Sequence, residues 1–310
     1  METNQQKISV IDPVSPALGR VKTILFQPFD LKKWFLIGFC AWLANLCWGG
    51  YNFNFQFGGQ DRRSALSDRA REFVSVNPEI IITIVLLISI IAIVLTVLFL
   101  WLSSRGRFMF LYCVAQNRAQ VKRPWHVFKK QGNSLFLFLL LMSISALILT
   151  ALFIVPVVLF CFVFKGREVH FAAPAAAALL MLVLILILLA VIFALIFKFT
   201  NDFVVPLMYL RGTRCVSAWR EFWALLIGNK ARFALYILFQ ILLALIIGSI
   251  ISFIIFISCC CCCIGIIFFI PYIGTVVLLP VIVFKRSYSL YYFRQFGPAF
   301  DLIDVELPQS

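Results

Sequence analysis

Charge is the scarcest property of this 310-residue sequence: only 13% of its residues are Asp, Glu, Lys or Arg, and only 13 residues are acidic. Histidine occurs twice, at His126 and His170. The sequence contains no glycine-rich phosphate loop, no nucleophile elbow, no HExxH helix and no paired-carboxylate motif. Each of those arrangements brings a base, a nucleophile or a metal to a reacting atom, so without them no enzymatic activity is expected. No catalytic, cofactor-binding or metal-ligating residue is assigned.

What fills the sequence instead is apolar. Hydrophobic residues make up 63% of it and its mean hydropathy is +1.02, far above a water-soluble domain of this size. Several uncharged stretches exceed the roughly 20 residues a helix needs to cross the hydrocarbon of a bilayer. An all-α integral membrane protein is expected, a single polytopic domain over residues 1–310, with spans at 34–50, 78–102, 134–160, 172–197, 231–257 and 264–284. The uncharged run after Arg232 is too long for one crossing and must turn back between Ser258 and Gly265, with Pro271 and Pro280 kinking its second arm.

The net charge of +14 raises the question of nucleic acid. The basic residues are scattered between apolar runs and form no arm or platform, so they read as topology signals and as attraction to anionic headgroups. Membrane lipids, and other membrane proteins, are the expected partners; nucleic acid is not. Most of the 27 Lys and Arg residues lie in 1–33, 103–133, 198–232 and 285–310, few in 51–77, 165–171 and 258–263. The bias predicts a multi-pass protein of the cell (inner) membrane with both termini cytoplasmic. The first apolar run begins only at Trp34, behind Lys32 and Lys33, so the first span is expected to act as the insertion signal rather than a cleaved peptide.

The cytoplasmic segments carry an amphipathic pattern. Ala17, Val21, Ile24 and Leu25 recur at helical spacing, and so do Ala218, Phe222, Leu225 and Leu226; Val121 to Lys130 is a weaker third copy. Each predicts a helix lying in the membrane interface ahead of a span. The returning spans run on past the membrane as Arg105 to Asn117, Asn201 to Gly212 and Lys285 to Gly297. Three two-span units follow from this repetition. Outside the cytoplasm the largest polar surface is the loop 51–77, the best candidate contact for any external ligand, with a plain surface loop that has no dedicated partner the favoured reading.

Few side chains invite chemistry. Cys259 to Cys263 could form a tight apolar turn, bridge to distant cysteines, bind metal or be acylated. Cys40, Cys47, Cys113, Cys161 and Cys215 are scattered without a disulfide framework. His126 and His170 fall on opposite sides of the membrane and cannot share a site. No acidic residue stands at mid-span, which disfavours ion-coupled transport. The polar span residues Asn45, Gln240, Thr83, Thr96, Ser143, Ser145 and Thr150 are expected mainly to join helices. Asn201, Asp202, Arg211, Arg214, Arg220 and Glu221 form the richest polar cluster, able to bind a phosphate headgroup, to lock a helix by ion pairs, or simply to orient the spans.

Read together, residues 202–226, DFVVPLMYLRGTRCVSAWREFWALL, resemble the membrane domain associated with glycerophosphoryl diester phosphodiesterases and its bacterial relatives of unknown function. The segments SPALGRVKTILFQPFDLKKWF and PYIGTVVLLPVIVFKRSYSLYYFRQFGP resemble the same group. The resemblance implies a helical membrane module without its own activity, because the phosphodiesterase chemistry of that group belongs to a separate soluble barrel. The expected function is therefore a non-enzymatic scaffold or partner module. The alternative is a carrier or flippase for a lipid or small amphiphile, which requires a continuous groove lined by Asn45, Gln240 and the span hydroxyls.

Overall fold

The structure is a computed structural model and describes residues 8–46, 78–163, 172–262 and 271–303. All regular structure among the described residues is helical. The chain opens with α1 (Val14–Val21), which runs into a wide π turn at Lys22–Phe26. Helix α2 (Leu31–Ala44) starts where the Asp30 carboxylate accepts the Lys32 backbone N–H at 2.8 Å, an N-cap that supplies one missing partner of the first turn. Then follow α3 (Pro78–Gln116), the short α4 (Lys122–Val127) and α5 (Lys129–Val163). Helix α6 (Ala172–Phe199) passes through a π turn at Thr200–Val204 into α7 (Val205–Arg211). Helices α8 (Cys215–Gly228), α9 (Lys230–Cys262), α10 (Pro271–Val277) and α11 (Leu279–Arg294) follow, with a 3-10 turn at Pro298–Phe300 the last element among the described residues.

Four helical stretches are long and apolar enough to cross a membrane: Ile82–Gln116, Lys129–Pro156, Leu180–Arg211 and Lys230–Ile257. They correspond to the second to fifth of the six expected spans. The first expected span, 34–50, is described as a helix only to Ala44, and the sixth, 264–284, only from Pro271. The sixth is also broken. Pro280 has no N–H and its ring collides with the carbonyl four residues back, at Val276, so the helix ends at Val277 and restarts at Leu279. The stranded Val276 carbonyl is taken by the indole N–H of Trp34 at 2.9 Å, which ties α10 to α2. The loop 51–77, His170, Cys47 and Cys263 lie outside the described residues.

Burial is concentrated at one end of the long helices. Along α3 the side chains from Ile82 to Phe99 are exposed, and the core begins at Leu100 and continues through Ser103 to Ala115. The same change occurs between Ile192 and Phe199 ahead of α7, while α11 is buried from Val283 to Phe293 apart from its half-buried Lys285 and Tyr291. These buried segments are the three expected extensions. Each ends in a left-handed or otherwise positive φ: Asn117 at 52°, Gly212 at 65° and Gly297 at 139°. Glycine and asparagine adopt such backbone most readily, which lets the chain leave a helix without strain.

The short helices feed this core. Ala17, Val21, Ile24 and Leu25 are all buried, and so are Ala218 and Phe222. The sides expected to meet lipid are thus turned into the protein. Phe203 sits at the centre of the aromatic packing, stacked on Phe222 at 5.3 Å and near Tyr236 at 5.0 Å and Phe233 at 5.2 Å. Elsewhere the packing depends on small residues. Ser103 Oγ donates to the Ala44 carbonyl at 2.8 Å, and a Cβ added to Gly106 would stand 2.6 Å from the Ala44 nitrogen. The helix α2 therefore lies backbone against backbone on α3.

Candidate functional site: a cationic cavity beside a π turn

Where α2 ends, a cavity of about 190 Å³ opens between α3, the α6–π turn and α11. Its polar lining comprises Asn45, Arg107, Lys198, Asn201, Asp202, Lys285 and Arg286; Ala44, Phe110, Phe197 and Ile282 supply the apolar part. Four cations thus face one carboxylate. The site is assembled from four segments far apart in sequence.

The π turn arranges the carboxylate. In Thr200–Val204 the Val205 N–H reaches back to the Thr200 carbonyl, and the next residue, Pro206, has no N–H to offer. The Asn201 carbonyl is therefore left without a helical donor, and Arg286 Nη1 donates to it at 2.6 Å. The same turn sets Asp202 inward. Its Oδ2 accepts from Lys198 Nζ at 2.8 Å and from the Tyr236 hydroxyl at 2.9 Å, and its Oδ1 accepts from Asn201 Nδ2 at 3.4 Å. Gln240 closes the network, donating to the Tyr236 hydroxyl at 3.3 Å and accepting from Lys198 at 3.4 Å.

With Asp202 already paired with Lys198, its single charge cannot balance Lys285 and Arg286 as well, and no other acidic residue among the described ones lines the cavity. The Arg107 guanidinium lies over the Phe197 ring at 4.6 Å, a cation–π contact. Arg286 is 6% exposed, and its Nε and Nη2 have no hydrogen-bond acceptor among the described residues. Burial pulls its pKa down from 12.5 to about 10, although Asp202 and Tyr236 act in the opposite direction. The Lys285 ammonium is lowered as well, first by burial and then by Lys198. At neutral pH Arg286 remains charged, and keeping it charged in this position costs about 3 kcal/mol relative to water. The sign follows from the depressed value: the folded state holds this proton less tightly than the unfolded chain does, so the cost persists below about pH 10 and is relieved as pH rises above it.

Tyr236→Phe tests the network directly. It removes the hydroxyl that bridges Asp202 and Gln240 and leaves a buried acceptor one partner short, so it should destabilise the fold by about 1–2 kcal/mol. Thermal unfolding in detergent measures it; an unchanged midpoint would mean that the hydroxyl carries no structural weight.

The expected polar cluster is split. Asn201 and Asp202 line the cavity, Arg211 pairs with Glu221 at 3.2 Å on the exposed surface, and Arg214 and Arg220 are exposed. Asn45 lines the cavity and Gln240 stands in its network, but Thr83, Thr96, Ser143, Ser145 and Thr150 each donate to a carbonyl of their own helix. Those hydroxyls, expected to join helices, satisfy themselves within one turn instead. His126 is exposed, and Cys259 to Cys262 fall in the last turn of α9. Cys40 and Cys113 meet in the core with their sulfurs 3.9 Å apart, a pairing their sequence separation gives no hint of. Arg107, Lys198, Lys285 and Arg286 also went unmarked as a group, since each reads singly as a charge flanking a span.

A family model described as a family of unknown function, DUF7544, matches residues 8–272. The chain belongs to that family. No curated protein and no solved structure matches it. The relationship to glycerophosphoryl diester phosphodiesterases implied by residues 202–226 is not shown by these matches, which support membership of a family of unknown function and nothing narrower. The matched region contains Asn45, Arg107, Lys198, Asn201 and Asp202, while Lys285 and Arg286 lie beyond its end.

Proposed function

We propose that this DUF7544 member is a non-enzymatic partner module of the cell membrane, with six spans in three two-span units and both termini in the cytoplasm. The observation that carries this reading is the exposure of apolar side chains around the long helices: Ile82 is 65% exposed, Leu147 70%, Leu188 61% and Leu245 64%, with dozens of similar neighbours. Each such side chain left in water would forgo roughly 2 kcal/mol of burial, a cost removed when acyl chains or the helices of a neighbouring protein surround it. The splayed arms give one protein a large surface to offer others. A compact core anchors them at one end.

The three-unit reading draws further support from the helix ends. Counting back equally from Asn117, Gly212 and Gly297 brings Phe108, Phe203 and Tyr288 into register, three aromatic rings all buried in the core. Units that share an exit geometry and a core aromatic at the same distance from it have the character of copies. The excess of Lys and Arg in the segments around these exits favours the cytoplasmic side.

Two measurements test the proposal. Reporter fusions at Gln120, Thr213 and Asp301 should all report a cytoplasmic location, and a periplasmic signal from any of them would overturn the topology. Cross-linking in native membranes followed by purification should recover a stable membrane-protein partner; recovery of this chain only as a lone species would overturn the partner role.

A further inference from the structure

We propose that the cationic cavity is a binding site for a phosphate-bearing anion, held by Arg107, Lys285 and Arg286. Three observations converge on it. The lining carries an excess of positive charge that Asp202 cannot offset, because that carboxylate is already engaged by Lys198 and Tyr236. Arg286 is more than nine-tenths buried, lines the cavity and has two nitrogens without an acceptor among the described residues, while its third is fixed on the Asn201 carbonyl. Arg107 lines the same cavity, its guanidinium carbon 4.6 Å from the Phe197 ring centroid, and this contact holds the charge beside the space a ligand would fill.

Charge and size choose the ligand class. Oxygen acceptors are what guanidinium and ammonium donors require, and two guanidinium groups with an ammonium match the several oxygens of a phosphate. A carboxylate carries one charge against the two of Lys285 and Arg286, whereas a phosphate monoester carries nearly two. A volume of about 190 Å³ falls below the 300 Å³ at which drug-sized ligand pockets begin, so a headgroup-sized anion fits and a nucleotide does not. The apolar wall of Phe110, Phe197 and Ile282 is compatible with the neck of a phospholipid as well as with a small soluble phosphate, since both present the same oxygens to the cations.

The inference is independent of the partner role, because binding is read on the purified full-length chain alone. Its thermal unfolding midpoint is measured in neutral detergent with millimolar inorganic phosphate against sodium chloride of equal ionic strength. The same measurement is then made in phosphatidylcholine nanodiscs with and without phosphatidic acid. A rise with inorganic phosphate assigns a soluble phosphate; a rise only with phosphatidic acid assigns a lipid headgroup. In either case Lys285→Gln and Arg286→Lys should weaken the apparent affinity by about tenfold or more, since each removes or misplaces a charge-assisted donor. Among the described residues Lys285 makes no hydrogen bond or ion pair, so Lys285→Gln retains the test should Arg286→Lys fold poorly. No stabilisation in either setting, or stabilisation unchanged in Lys285→Gln, overturns the assignment.

Discussion

Gly106→Val should abolish the native packing of α2 on α3. A Cβ at this position would lie 2.6 Å from the Ala44 nitrogen and 2.7 Å from the Leu43 carbonyl carbon, and both are backbone atoms that cannot rotate aside. The neighbouring Ser103 hydroxyl is bonded to the Ala44 carbonyl at 2.8 Å, so pushing the two helices apart breaks that bond as well. Overpacking in a well-filled core typically costs about 1–3 kcal/mol, and a clash with backbone belongs at or above the top of that range. Loss of a monodisperse, cooperatively unfolding protein in detergent is the expected result. Gly248→Ala is the control: nothing lies within 4 Å of its added Cβ, and a helical alanine should leave stability equal or slightly higher. Equal behaviour of the two variants would show that the close approach at Gly106 is dispensable.

Asp202→Asn should be the most damaging change that keeps side-chain shape. The carboxylate is the only negative charge among the residues lining the cavity, its side chain is 8% exposed, and it accepts hydrogen bonds from Lys198, Tyr236 and Asn201. Removing its charge leaves Arg286 buried among cations with its main compensating partner gone. Hydrogen bonds to a charged group are each worth about 1.5–3 kcal/mol, and with Lys198 39% exposed and screened by solvent the loss should be about 2–3 kcal/mol. The double variant Lys198→Met with Asp202→Leu should cost clearly less than the sum of the single changes, because it removes both charges together. Strict additivity of the two would mean that Lys198 and Asp202 do not act as a pair.

The helices were legible because lipid imposes a simple pattern: long uncharged runs can satisfy their backbone only as helices, so segments such as 78–102 and 172–197 fall inside α3 and α6. The exits were legible too. Asn117, Gly212 and Gly297 follow aromatic and aliphatic stretches, and these residue types tolerate positive φ. The break at Leu278 follows from Pro280 by the same local logic. What periodicity could not give is which surface a face meets. Ala17, Val21, Ile24 and Leu25 form one apolar stripe whether the stripe rests on lipid or on protein, and here it rests on the core.

The cavity was hidden for a different reason. Arg107, Lys198 and Lys285 each stand at the end of an apolar run, where a basic residue is already explained by orientation in the membrane. Only the folded chain brings them to one place, through the π turn that presents Asp202 and the unpaired carbonyl of Asn201. The one local clue was proline: a Pro206 shortly after a polar pair at the end of a long apolar helix marks a place where the hydrogen-bond ladder must change pitch. Likewise nothing in the spacing of Cys40 and Cys113 brings their thiols together across the interface of α2 and α3.

The concentration of packing at one end of α3, α6 and α9 divides the molecule by how it is read by its surroundings. Acyl chains have no fixed shape, so along Ile82 to Phe99 they ask only for oiliness, and Leu, Ile, Val and Phe are interchangeable there. The aromatic cluster around Phe203 is read by other side chains, each with one shape to match. Over many generations the arms are free to drift in spelling while the core keeps its letters, and two distant descendants of this chain would be recognised by their helix exits long before their membrane spans could be aligned.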